Sequence, residues 1–306
     1  MPLSPNLRGA LFMSISMAGF TMNDALTKAV VGSMNTGQVM LVRGLFATCL
    51  IGLLAWRLGA LRAPGVILHP MVGLRILGEV GGTVTFLTAL AHMPLANASA
   101  ILQALPLAVT MGAALFLAEP VGWRRWSAIA VGFLGVMVVV RPGLEGFNTY
   151  SLFALICVMF CAVRDLATRQ APAKIPTLFL STVTAASVTL SGAVLVVPLG
   201  GWSPLGLVEI GLLMAAAVLL LFGYQFIIMS LREGEISFIA PFRYTALLWS
   251  IFLGFLAFGD IPDTAMLIGA SIVVLSGLYS LYREQIVGRK TPIAESTSPA
   301  MAPDGT

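Results

Sequence analysis

Apolar residues in this chain run in blocks about twenty long, each bounded by Pro, Gly or a charged side chain. Ten blocks fall near residues 8–28, 37–57, 71–92, 96–118, 124–141, 150–170, 176–199, 206–230, 236–258 and 264–282. A helix needs about 20 residues to cross ~30 Å of hydrocarbon, so each block predicts a membrane-spanning helix. The connections are short, and the Pro/Ser/Thr-rich segment 289–306 reads as a disordered tail. The first block has no cleavage-type ending and runs on into Asn23, Asp24 and Lys28, which argues against a removed signal peptide.

The blocks also repeat. Shifted by 141 residues, the chain lays Leu11 on Leu152, Phe12 on Phe153, Ile15 on Ile156, Asp24 on Asp165, Thr27 on Thr168 and Lys28 on Arg169. The same shift brings Gly82 onto Gly223, Leu90 onto Leu231 and Glu119 onto Asp260. Five crossings per copy is an odd number, so the second copy enters the membrane upside down relative to the first, the inverted-repeat plan of many secondary transporters. The expected fold is an all-α membrane protein of ten helices in two inverted five-helix repeats, 1–141 and 142–288, followed by a cytoplasmic tail over 289–306.

Composition supports the bilayer. Of 306 residues, 58% are apolar and 10% charged, with a mean hydropathy of +0.96. Soluble domains carry about 25% charged residues, so a water-soluble globule is excluded. Cys49, Cys157 and Cys161 all lie in apolar runs, which excludes a disulfide framework. The net charge of +4 comes from scattered cations and forms no basic face, so nucleic acid is not an expected partner. With both termini on the cytoplasmic side, thirteen Lys and Arg residues fall on that side, Arg62 and Lys174 among them, against Lys28 and Arg141 on the other. Short loops on the cytoplasmic face carry such an excess.

Ionisable groups within spans cost at least about 2.5–3.5 kcal/mol each to insert, so each needs a reason. Asp24 and Arg43 lie at matching depth near the far ends of the first two blocks and are expected to face each other, either as a gate or as a structural ion pair. Asp165 and Arg243 repeat the pattern on the cytoplasmic side, where Arg164 is a competing partner for Asp165. Glu79 sits ~12 Å into its helix, near the midplane. Arg75, four residues earlier, shares its face and is the neutralising partner if Glu79 contacts neither substrate nor a coupling proton.

Pro106 and Pro241 interrupt corresponding blocks of the two halves, and interrupted helices in matching places point to a transporter's binding site. Beside them lie Gln103, Arg243, Tyr244 and Trp249, with Tyr224 and Gln225 one block earlier. Aromatic faces with hydrogen-bond donors suit a planar metabolite, although the same residues serve equally in helix packing. Trp56, Trp123, Trp126 and Trp202 fall near block ends, where interfacial aromatics collect.

No phosphate-binding P-loop, H-E-x-x-H or G-x-S-x-G motif is present, so no enzyme activity, metal or cofactor is expected. Cys157 and Cys161, four apart on one block, read as packing.

The ten-block, two-copy layout and the end of the fourth block, Leu115 to Glu119, resemble the EamA family of the drug/metabolite transporter superfamily. Segments 20–28, 41–46, 240–249 and 277–284 are similar to its bacterial riboflavin-transporter branch. That resemblance implies a carrier of the bacterial inner membrane that takes up riboflavin. The alternatives are an exporter of amino acids or other metabolites, an S-adenosylmethionine carrier, and, from another class, a membrane enzyme or non-transporting scaffold. The expected partners are a small-molecule substrate, the lipid bilayer and, as a candidate, a second copy of the chain.

Overall fold

The first turns of several helices are fixed by a side chain that accepts from their free amides. In the computed structural model, Ser4 caps α1 (Pro5–Val31) by accepting from the Leu7 N–H at 3.3 Å, and Asn35 caps α2 (Thr36–Arg57) at 2.9 Å. His69 does the same for α3 (Pro70–His92). The structure describes residues 4–60, 69–119, 121–144, 147–172, 175–233 and 235–286. Arg62, Lys174 and the tail 289–306 lie outside the described residues.

The fourth block is two helices, α4 (Leu95–Leu102) and α5 (Leu105–Phe116), parted at Gln103 and Ala104. Then follow α6 (Trp123–Val140), α7 (Tyr150–Gln170), α8 (Thr177–Val196) and α9 (Leu207–Glu233). The ninth block is again divided: α10 (Ile236–Ile239), a 3-10 turn (Ala240–Tyr244) and α11 (Thr245–Phe258). Gly259, at φ +70°, closes α11, and α12 (Thr264–Ile286) ends the described chain. Each proline stands at the start of the segment after its break, where the missing N–H costs no helical bond.

Among the described residues there is no strand, and nine helical stretches are long and apolar enough to cross a membrane. The chain is a multi-pass membrane protein. The stretch outside those nine is α1, which Ser14, Ser16, Thr21, Asn23 and Asp24 make more polar than its neighbours.

Helices from the two halves pack in antiparallel pairs, α1 with α9, α2 with α8, α3 with α7 and α6 with α12. Contacts on α1 run from Arg8 against Glu233 to Ser16 against Gly223, so one helix descends as the other rises. The α3–α7 pair has the same register. A Cβ on Gly82 would stand 3.2 Å from the Cys161 sulfur, and one on Gly223 would stand 2.7 Å from the Phe20 ring. The 141-residue shift carries one contact onto the other. Glycine at both crossings lets the helices approach. Two side-chain bonds also join residues 141 apart: Thr48 to Thr189 at 3.0 Å, and Gln103 Nε2 to the Tyr244 carbonyl at 3.4 Å. Large apolar side chains such as Leu54, Leu134, Val194 and Phe255 point outward, as a lipid-facing surface requires, and Trp56, Trp123, Trp126 and Trp202 are exposed near helix ends.

Candidate functional site

A cavity of about 320 Å³ opens between the two halves, walled by α1, α3, α7 and α9 and crossed by the breaks at Gln103 and Ala240–Tyr244. Small-molecule sites span about 300–1,000 Å³, so it is large enough for a metabolite. Polar residues of α1 and α7, Asn23, Asp24 and Arg164 among them, face this space instead of lipid.

One end of the wall belongs to α1 and α2. Arg43 Nη1 donates to Asn23 Oδ1 at 3.4 Å and to Thr27 Oγ1 at 3.5 Å, and Asn23 Nδ2 donates to Asp24 Oδ1 at 2.9 Å. Asp24 and Arg43 therefore share the cavity through the Asn23 amide, with no ion pair within 4.0 Å between them.

The other end belongs to α3 and α7. Arg164 Nε donates to Asp165 Oδ1 at 2.8 Å, and its Nη1 reaches Glu79 Oε2 at 3.5 Å. Arg75 turns away from Glu79: Nε donates to Thr184 Oγ1 at 3.2 Å and Nη1 to Thr168 Oγ1. Glu79 thus has Arg164 of α7 within ion-pair distance, while the hydrogen bonds of Arg75, one turn back on its own helix, go to threonines. The 141-residue shift lays Asn23 on Arg164, Asp24 on Asp165, Thr27 on Thr168 and Arg43 on Thr184. In each half a side chain one residue before the aspartate donates to it, and an arginine donates to the threonine one turn on.

Aromatic surface lines the space between these ends. Phe20 and Tyr224 meet edge to face at 5.2 Å, and Phe86 and Tyr244 add their rings. Ser99, Gln103 and Arg243 supply polar groups from the two breaks.

Of the residues expected at the site, Asp24, Arg43, Glu79, Gln103, Tyr224, Arg243 and Tyr244 line this cavity. Three do not. Asp165 is fully buried behind Arg164 and reaches the cavity through that guanidinium. Gln225 is exposed on the same side of α9 as Met214, Val218 and Phe222, facing outward. Trp249 likewise faces outward, edge-on to Phe252. For Gln225 and Trp249 the reason is that in helices apolar on every side residue type does not disclose the inward face. Cys157 and Cys161, read as packing residues, line the cavity. Asn23 was missed as a site residue; the signals that could have found it are its place beside Asp24 and the 141-residue shift that lays it on Arg164.

Beyond the cavity, the ends of α1 and α7 are each tied down by a cation. Lys28 Nζ donates to the carbonyls of Leu90 at 3.1 Å and Met93 at 2.6 Å and stands 5.3 Å from the Phe258 ring centre. Its counterpart Arg169 pairs with Glu119 at 2.6 Å.

The model of the EamA-like transporter family matches residues 7–141. A pseudopaline exporter of Pseudomonas aeruginosa is 28% identical over 277 residues, covering 88% of this chain and 94% of that protein. A riboflavin transporter of Vibrio cholerae is 31% identical over 210 residues, 66% of this chain and 68% of that protein. An S-adenosylmethionine uptake transporter of Rickettsia prowazekii is 24% identical over 288 residues, 92% of this chain and 95% of that protein. One crystal structure superposes with a TM-score of 0.62 at 19% identity, over 92% of this chain and 99% of the other.

Proposed function

The chain belongs to the EamA-like transporter family, and from that premise we propose that it is a secondary carrier importing riboflavin across a bacterial inner membrane. Its family consists of transporters and not enzymes, and its relatives carry small metabolites.

The observation that carries the reading is the cavity between the halves, where aromatic rings share the lining with two clusters of half-buried polar side chains. An isoalloxazine ring is flat and polar along one edge. Phe20, Phe86, Tyr224 and Tyr244 offer it faces and edges to stack against, while Gln103, Arg243 and Arg43 offer donors to its carbonyls. A second reading, a charged metabolite such as S-adenosylmethionine or an exported amino acid, is favoured by Asp24, Glu79, Arg43 and Arg164 in the same lining.

The carrier is built, on this reading, from two inverted five-helix repeats, 1–141 and 142–288, with both termini cytoplasmic. The shared registers of α1–α9 and α3–α7, and the bonds between residues 141 apart, support it: residues touch their own counterparts where a two-fold axis passes. The family match over 7–141 spans one such repeat. The charge bias of the loops supports the orientation. Rocking of one copy against the other then opens the cavity to each side in turn. The Asn23–Asp24–Arg43 cluster closes one end and the Arg164–Asp165–Glu79 cluster the other.

Expression in a riboflavin-auxotrophic bacterium tests the proposal. Growth on micromolar riboflavin is the expected result. Resistance to toxic flavin analogues without growth would replace import by export, and no effect of either solute would overturn riboflavin as the substrate.

A further inference from the structure

The two cysteines in the cavity wall have no part in the account above. Cys157 and Cys161 are one turn apart on α7 and so share a face. Their sulfurs are 3.8 Å apart, both thiols are free, and both border the cavity. On the facing helix α3, Gly82 presents no side chain, and a Cβ there would crowd the Cys161 sulfur at 3.2 Å. The glycine leaves the pair room. Arg164, three residues beyond Cys161, borders the same cavity.

Two adjacent sulfur donors select a soft centre. Among the described residues no third His, Cys, Asp or Glu joins a cluster able to complete a metal site, so a four-coordinate ion such as zinc lacks ligands. A trivalent organoarsenical needs two, because carbon fills its third valence. We propose that Cys157 and Cys161 form a two-thiol site in the cavity wall that captures trivalent organoarsenicals. The reaction is a condensation without change of oxidation state. Both thiols add to the arsenic of an arsenoxide, two As–S bonds form, the As–O bond breaks, and the two thiol protons leave with that oxygen as water. The ring so closed spans one helical turn and projects into the space the solute would use.

The test uses the full chain purified in detergent, with phenylarsine oxide as the probe. After treatment and a wash with excess monothiol, the protein is unfolded in dodecyl sulfate, alkylated with N-ethylmaleimide and weighed intact. The chain has three cysteines, so untreated protein takes three labels. Treated protein is expected to take one, at Cys49, and to return to three after exposure to 2,3-dimercaptopropanol. Cys157→Ser and Cys161→Ser are each expected to take two labels with or without the arsenical, and Cys49→Ser to be fully protected. Three labels on treated wild type would overturn the proposal, as would protection that survives loss of either α7 cysteine. Wild type and its dithiol reversal decide the matter even if a variant fails to fold. The count requires no solute, so the site stands or falls independently of riboflavin transport.

Discussion

The two polar ends of the cavity share a frame and differ in where their positive charge originates. At the α1 end, Asp24 is reached by the neutral Asn23, and the cation, Arg43, comes from α2. At the α7 end the residue before the aspartate is itself the cation: Arg164 holds Asp165 at 2.8 Å and extends to Glu79, while Arg75 from α3 takes over the threonine contacts. The first cluster is a relay between two helices. The second is anchored within α7, with its longer contact, 3.5 Å, to Glu79 on α3.

Removing Arg164 should produce the largest effect. Arg164→Gln removes the paired cation of the fully buried Asp165 carboxylate and leaves the more distant Arg243, and breaking a buried pair costs roughly 3–5 kcal/mol. A large fall in detergent melting temperature and membrane abundance is expected, with recovery in the Arg164→Gln/Asp165→Asn double variant. Failure of the double variant to recover would remove the anchor from the comparison.

Arg43→Gln should leave the fold largely intact, because Asp24 keeps its bond from Asn23. Charged hydrogen bonds are worth about 1.5–3 kcal/mol. If the relay closes one end of the cavity, uptake should fall by about tenfold or more at near-normal abundance. Equal loss of stability in the Arg43 and Arg164 variants would erase the distinction between the ends.

The ties beyond the cavity extend the contrast at smaller scale. Lys28 satisfies two carbonyls at the end of α3, whereas Arg169 and Glu119 are a partly exposed ion pair, a class worth about 0–1 kcal/mol. Lys28→Gln should therefore lower the melting temperature more than Arg169→Gln does.

The smallest effect concerns Asp263, which lies before α12, outside the spans. The Met266 backbone N–H, with Arg141 beside it, holds the Asp263 carboxyl below the usual aspartate range. A depressed carboxylate contributes stability that is complete above its unfolded pKa and lost as pH falls through its folded value. Asp263→Asn should thus change stability slightly at neutral pH and not at all in strong acid, as read from melting temperature against pH.

The helices were legible because the bilayer imposes their length: the expected and observed ends differ by a few residues, and both interrupted spans were marked by Pro106 and Pro241. The place of each break was less so. The prolines do not align under the 141-residue shift, yet Gln103 and Tyr244, which do, meet there. Buried charge drew attention to Asp24, Arg43 and Glu79, because an ion in hydrocarbon needs a reason. Gln225 and Trp249 were misplaced because neutral residues carry no such cost and sit on lipid-facing surfaces without penalty. Only packing shows which way a helix is turned, and for α9 that packing is set by Gly223 against Phe20.

Proteoliposome uptake of labelled riboflavin by the purified chain, its Glu79→Gln and Arg43→Gln variants and the outward-facing Gln225→Ala and Trp249→Ala variants tests the central claim most directly. The account predicts uptake by wild type and by the two outward-facing variants, and its loss in the two cavity variants. Equal uptake by all five proteins, or none above empty vesicles, would contradict it.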